Sequence, residues 1–163
     1  MPLLRSHTME RAILSVAALL AFPTAAICQQ ECLKQAWAAY EKKDYPAAIS
    51  AADQCIDDFG PKAEKEQAAL EAKRTPVPPT GDVSNAADKK AIFERWAVND
   101  VSASYFVKGR SAEYLYKRGS SAHKKVAEEA YQGAIKLSYG RVFDPKRGFW
   151  SPSEAASERM PLK

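Results

Sequence analysis

Histidine is nearly missing from this 163-residue chain: only His7 and His123 occur. That excludes multi-histidine metal centres, and His123, set in SSAHKK with no neighbouring carboxylate to orient it, has no partner for general-base work. Glycine is also sparse, with 7 residues against 10 prolines, and no glycine-rich loop suited to cradling phosphate is present. Neither charge dominates. The 24 Lys and Arg face 20 Asp and Glu with signs interspersed, so a basic nucleic-acid-binding face is not indicated. The longest apolar run, ILSVAALLAF at 13–22, falls well short of the ~20 residues that span a bilayer.

That short run has a different meaning. Arg5 and Arg11 precede it, and Pro23 and the small residues Thr24, Ala25 and Ala26 follow, which is the order of a secretory signal peptide. Residues 1–28 are therefore expected to be an export signal cleaved after Ala26 or Cys28. Met9 serves equally well as the start, because MERAILSVAALLAF is a complete signal by itself. Acylation of Cys28 is a further possibility, weakened by Ile27 where lipoprotein signals carry a small residue. The remaining chain is expected to be soluble, and periplasmic or secreted.

The rest reads as all-α. Apolar residues make up 46% and charged residues 27%, globular proportions that argue against wholesale disorder, and Ala, Glu and Lys dominate the middle. Residues 31–43 place Leu33, Ala36, Trp37 and Tyr40 on one helical face. Asp44 then caps a second helix with Pro46 in its first turn, predicted to stop at Gly60-Pro61. A polar third helix follows over 62–74. TPVPPTGDV at 75–83 reads as a linker, whose PxxP match is read as a stiff spacer. Beyond it, Ser84 or Asn85 caps one long helix over 86–117, or two with a joint near Asn99-Asp100, and Gly119 ends it. Another helix is expected over 121–138, then an aromatic turn at 142–150. A final helix over 152–159 is capped by Ser151 with Glu154 completing a capping box. No stretch alternates like a strand. The expected organisation is 1–28, 29–74, 75–83 and 84–163.

Two segments resemble tetratricopeptide repeats, helix–turn–helix units that stack into solenoids. In residues 32–61, Ala36 and Ala48 occupy the small positions where paired helices cross, KKDYPAAI resembles the turn between them, and Cys55 takes a later small position. In residues 105–137, Tyr105, Gly109 and Ala112 match the first helix, and Ala127, Tyr131 and Ala134 the second. The second turn is longer than the family's, and the two units are not in tandem. The resemblance implies a solenoid fragment whose extra helices act as caps, or which assembles with a partner, self-association included. It also implies binding of a protein or peptide in a groove lined by first helices, which points to Trp37, Tyr40, Phe106, Arg110 and Tyr114. No catalytic residue, metal or cofactor is expected. The alternative is a cell-wall or carbohydrate-associated protein that stacks sugars on Trp37, Tyr40 and Trp150. Gly109 to Glu113 lacks the closing glycine of a nucleophile elbow, and the pairs Asp57-Asp58 and Glu128-Glu129 diverge around their helices as solvated faces. Phe149-Trp150 is expected to staple the tail onto the last helices.

Export bears on the cysteines. With Cys28 removed or unpaired, Cys32 and Cys55 lie on facing helices of the first repeat-like pair and are expected to form a disulfide.

Overall fold

The computed structural model describes residues 25–162, and the apolar core of the expected signal peptide lies outside that range. Among the described residues the chain forms α1 (Ala25–Glu41), α2 (Tyr45–Ala72), α3 (Ala86–Glu94), α4 (Trp96–Lys117), α5 (Ala122–Lys136), the strands β1 (Val142–Asp144) and β2 (Gly148–Trp150), and α6 (Pro152–Ser157). The protein is mostly helical.

Capping residues set several boundaries as expected. The Asp44 carboxylate accepts from the Ala47 amide, Asn85 from the Ala87 and Asp88 amides, and the Ser151 hydroxyl from the Glu154 amide. Gly119 follows α4 with φ +103°, a conformation that costs glycine little.

Three expectations are corrected. Helix α2 does not stop at Gly60-Pro61 but runs through them to Ala72. Pro61 is solvent-exposed, the residues beyond it are strong helix formers, and Ala63 and Gln67 are buried farther along. Ala63 packs with Ala97, Val98 and Val101, so tertiary burial carries the helix past its local breakers. The joint in the second half lies at Arg95, not at Asn99-Asp100. Asn99 makes that joint from four residues downstream: its amide donates to the Ile92 carbonyl at 2.7 Å, satisfying a group at the end of α3. The segment 142–150 is not a plain turn. Val142 pairs with Trp150 and Asp144 with Gly148 in an antiparallel hairpin, and Gly81 bridges to Phe149. Strands three residues long are too short for alternation to show in sequence.

Helix α4 is the centre. Its buried residues include Ala97, Val98, Val101, Ser102, Ala103, Ser104, Gly109, Ser111 and Ala112, nearly all small, and α1, α2, α5 and α6 pack around it. The α4–α5 contact is reciprocal. A Cβ on Gly109 would lie 2.6 Å from the Tyr131 ring, and a Cβ on Gly133 would lie 2.5 Å from the Tyr105 ring. Each glycine is the socket for the other helix's tyrosine. Tyr131 then donates its hydroxyl proton to Glu113, which also pairs with Lys117 at 2.6 Å and Arg159 at 3.1 Å. Burial pushes the Glu113 carboxyl up, but the Lys117 and Tyr131 hydrogen bonds outweigh it and hold its pKa below the usual value.

The segment 75–83 is fastened along its length. The buried Arg141 guanidinium donates to the carbonyls of Pro78, Pro79, Ser138 and Gly140, and the Tyr139 hydroxyl donates to the Thr75 carbonyl. Val83 packs with Ile92 and Phe149. On the other flank, Cys32 of α1 and Cys55 of α2 are joined by a disulfide with Cα atoms 5.5 Å apart, which fixes these helices as an antiparallel pair.

Two outcomes follow from this packing. Gly109→Ala and Gly133→Ala should each destabilise by about 1–3 kcal/mol, because the buried Tyr131 ring and the half-buried Tyr105 ring must move. Gly60→Ala, where the nearest such contact is Ile56 at 3.9 Å, should instead be neutral or stabilise by up to ~1 kcal/mol. Denaturant melts of the three variants distinguish the cases. Peptide mapping without reductant should recover Cys32 linked to Cys55, and replacing both by alanine should cost roughly 3 kcal/mol for a loop of this length. Free thiols at both positions would contradict the helix pairing.

Candidate functional site

A cleft of about 920 Å³ is bounded by α1, the middle of α4, the hairpin and α6. Leu33 and Trp37 enter it from α1, Asp100, Phe106 and Arg110 from α4, Phe143, Phe149 and Trp150 from the hairpin, and Glu154 and Glu158 from the C-terminal helix and its end. The spacing explains the α1 wall: Leu33 and Trp37 are one turn apart and share a face. Phe106 and Arg110 repeat that relation on α4.

The rings of the cleft hold one another. The Trp150 centroid lies 5.2 Å from Phe106 and 6.4 Å from Trp37, both edge-to-face, the arrangement that aromatic quadrupoles favour. Phe149 sits 5.7 Å from Phe93 and 5.2 Å from Phe143, and those two outer rings are exposed. Phe149 and Trp150 therefore part company. Trp150 packs toward α1 and α4, while Phe149 belongs to the cluster of Val83 and Ile92.

A smaller cavity of about 420 Å³ adjoins the cleft and shares Leu33, Asp100, Val142, Phe143 and Phe149 with it. Asp100 lies where the two meet. Its backbone carbonyl accepts from the Ser104 hydroxyl at 2.8 Å. Its carboxylate has no hydrogen bond or ion pair among the described residues. Burial without a compensating charge pushes this carboxyl up to about 6. An uncompensated, half-buried carboxylate lining a cavity is a candidate functional group.

Of the five residues expected to bind a partner, the structure brings three into this cleft: Trp37, Phe106 and Arg110. Phe106 is nearly buried, so it forms floor rather than rim. Tyr40 stands behind the wall and accepts a hydrogen bond from Arg110 at 3.0 Å, which fixes that guanidinium. Tyr114 is elsewhere, exposed, with its ring 4.2 Å from Tyr45. Sequence reasoning placed Asp100 only at a helix joint and took Phe143 as part of a turn. The available signal for Asp100 was a single charge within the small and apolar stretch AVNDVSASYFV. His123 lies in the first turn of α5, with its Nδ1 2.6 Å from the Ser120 hydroxyl three residues before it. Among the described residues no group of three or more His, Cys, Asp or Glu could hold a metal, and no helix is long and apolar enough to cross a membrane.

Comparison with protein-family models, with curated proteins and with solved structures finds no match to this chain.

The Asp100 charge has a cost in the folded state, and its sign is definite. A carboxyl whose folded pKa is about 6 exceeds its unfolded value of roughly 4. Protonation therefore favours the fold: its contribution is complete below about pH 4 and is lost as pH rises through about 6. Asp100→Asn should raise stability at pH 7.5 by on the order of 1–2 kcal/mol after allowing for partial solvation. That gain should shrink to nothing by about pH 4, as read from urea midpoints measured across the range.

Proposed function

We propose that this chain is an exported helical interaction module, of the tetratricopeptide-like kind, that binds a protein or peptide partner in the cleft between α1, α4 and the hairpin. One observation carries the reading. Trp37, Phe106 and Arg110, distant in sequence, line one open concavity together with Trp150. Aromatic rings and an arginine at the centre of a concave surface are the residue types that dominate binding energy at protein interfaces.

Two further features support it. The helical pairs α1–α2 and α4–α5 cross on small residues, with Ala36, Ala48 and Ala52 buried in the first and Gly109 and Ala127 in the second. This is the packing expected of such units. A Cys32–Cys55 disulfide suits a compartment beyond the cytoplasmic membrane, where disulfides persist, and supports a periplasmic or secreted location.

The test is affinity capture from an envelope fraction with the wild-type protein and a Trp37→Ala/Arg110→Ala double variant whose folding is checked by circular dichroism. The expected result is a partner retained by the wild type and reduced about ten-fold or more by the variant, the usual scale for losing two central contacts. Identical capture by both, or capture by neither, would overturn the reading. Tryptophan fluorescence titrations with peptidoglycan fragments and glucans run alongside. Saturable binding there, lost in the variant, would assign the cleft to carbohydrate instead.

A further inference from the structure

The smaller cavity beside the cleft carries a chemistry of its own. Its charged lining residues are Asp100 and Arg141. The donors of Arg141 are already committed, since its guanidinium donates to the carbonyls of Pro78, Pro79, Ser138 and Gly140. The Asp100 carboxylate, by contrast, has no hydrogen bond or ion pair among the described residues. The remaining wall is aromatic and apolar: Phe93, Trp96, Phe143 and Phe149 among others. Phe93 and Phe143 are 61% and 56% exposed, among the few large apolar side chains left in water. A carboxylate that lines one cavity with several aromatic rings suits an amphipathic cation, because the carboxylate supplies the countercharge and the rings attract the cation through their quadrupoles. The protein uses the same contact internally nearby, where the Lys62 ammonium lies 3.8 Å from the Trp96 ring centroid.

We propose that Asp100, with the exposed rings of Phe93 and Phe143, seats a basic side chain, arginine or lysine, of the peptide or protein that occupies the cleft. This rests on the reading of the cleft as a partner-binding site and names the chemistry it selects. An acidic partner residue would meet the like charge of Asp100 and find the Arg141 donors already taken, and an apolar one would leave that carboxylate desolvated and unpaired, so both are disfavoured. Other charged groups face the adjoining cleft from each packed element: Lys34 and Glu41 on α1, Arg110 on α4, Asp144 and Arg147 in the hairpin, and Glu154, Glu158 and Arg159 near the C-terminus. They set the rim potential. Asp100 alone among the acidic residues lines both cavities.

The seat is also pH-dependent in a definite direction. Protonation of Asp100, with its pKa pushed up to about 6 by burial, removes the countercharge, so a basic side chain binds more weakly as pH falls through that value.

The experiment titrates the oxidised protein with three blocked tripeptides, acetyl-Gly-Xaa-Gly-amide with Xaa arginine, lysine or norleucine, read by tryptophan fluorescence and by NMR shifts. The arginine and lysine peptides should bind saturably, and norleucine about ten-fold or more weaker, the scale of losing a desolvated charge partner. Asp100→Asn should bring the basic peptides to the norleucine level. Wild-type affinity for them should fall several-fold between pH 7.5 and 5, and that pH step should vanish in Asp100→Asn. Phe143→Ala removes an exposed ring without opening the core and should weaken basic-peptide binding, which keeps the test decisive should the Asp100 variant misfold. Equal binding of arginine and norleucine peptides, or no saturable binding of either basic peptide at millimolar concentration, would overturn the proposal. Envelope capture separates this failure from that of the parent reading: a captured protein whose retention ignores Asp100→Asn defeats the cation seat and leaves the docking cleft. Basic-peptide binding with no captured protein does the reverse.

Discussion

The closeness of α4 and α5 is the constraint from which the rest of the molecule is built. Two helices of ordinary composition stand apart by the size of their side chains, but here Gly109 accepts the Tyr131 ring and Gly133 accepts the Tyr105 ring. The buried Tyr131 brings a hydroxyl with it, and a buried hydroxyl needs a partner. Glu113 provides one, and its charge in turn is met by Lys117 and Arg159. Arg159 follows α6, so a packing requirement between two helices ends by holding the C-terminal segment in place. That segment and the hairpin before it make one side of the cleft. Steric fit, hydrogen-bond satisfaction and the shape of the candidate site are thus links in one chain.

A second organising centre lies at Asn99. Its amide donates to the Ile92 carbonyl at the end of α3, and its side-chain oxygen accepts from the Arg141 amide at 2.9 Å. One buried side chain therefore joins the break between α3 and α4 to the entry of the hairpin. Next to it, Asp100 has no such employment. The two adjacent residues point to different neighbourhoods because successive side chains on a helix diverge by about 100°.

Much of the helical framework was legible from residues alone. Asp44, Asn85 and Ser151 announced helix starts because capping chemistry is local and depends on one side chain and the amides just beyond it. The pairing of Cys32 with Cys55 was legible because it follows from helix register. What was not legible had its cause at a distance. Gly60-Pro61 breaks a helix by every local rule, but Ala63 and Gln67 are wanted in the core, and burial overrules the breaker. The three-residue strands carry too few residues to show a period. For the site, one-turn spacings correctly joined Leu33 to Trp37 and Phe106 to Arg110, whereas the meeting of α1 with the hairpin depends on long-range packing that no spacing encodes. Tyr114 was misplaced relative to the cleft for a related reason: its aromatic character drew notice, but its partner is Tyr45, at the start of α2.

The fastening of residues 75–83 has a consequence for how the chain presents itself to other molecules. PVPP has the outline of a ligand for modules that read polyproline helices, which engage exposed carbonyls and proline rings. Here the carbonyls of Pro78 and Pro79 are held by Arg141, and Pro78 is buried. To be read, the strip would have to surrender several hydrogen bonds to a charged donor and leave that guanidinium stranded in the interior. What looks in the sequence like a handle for others is, in the folded molecule, a latch closed from inside.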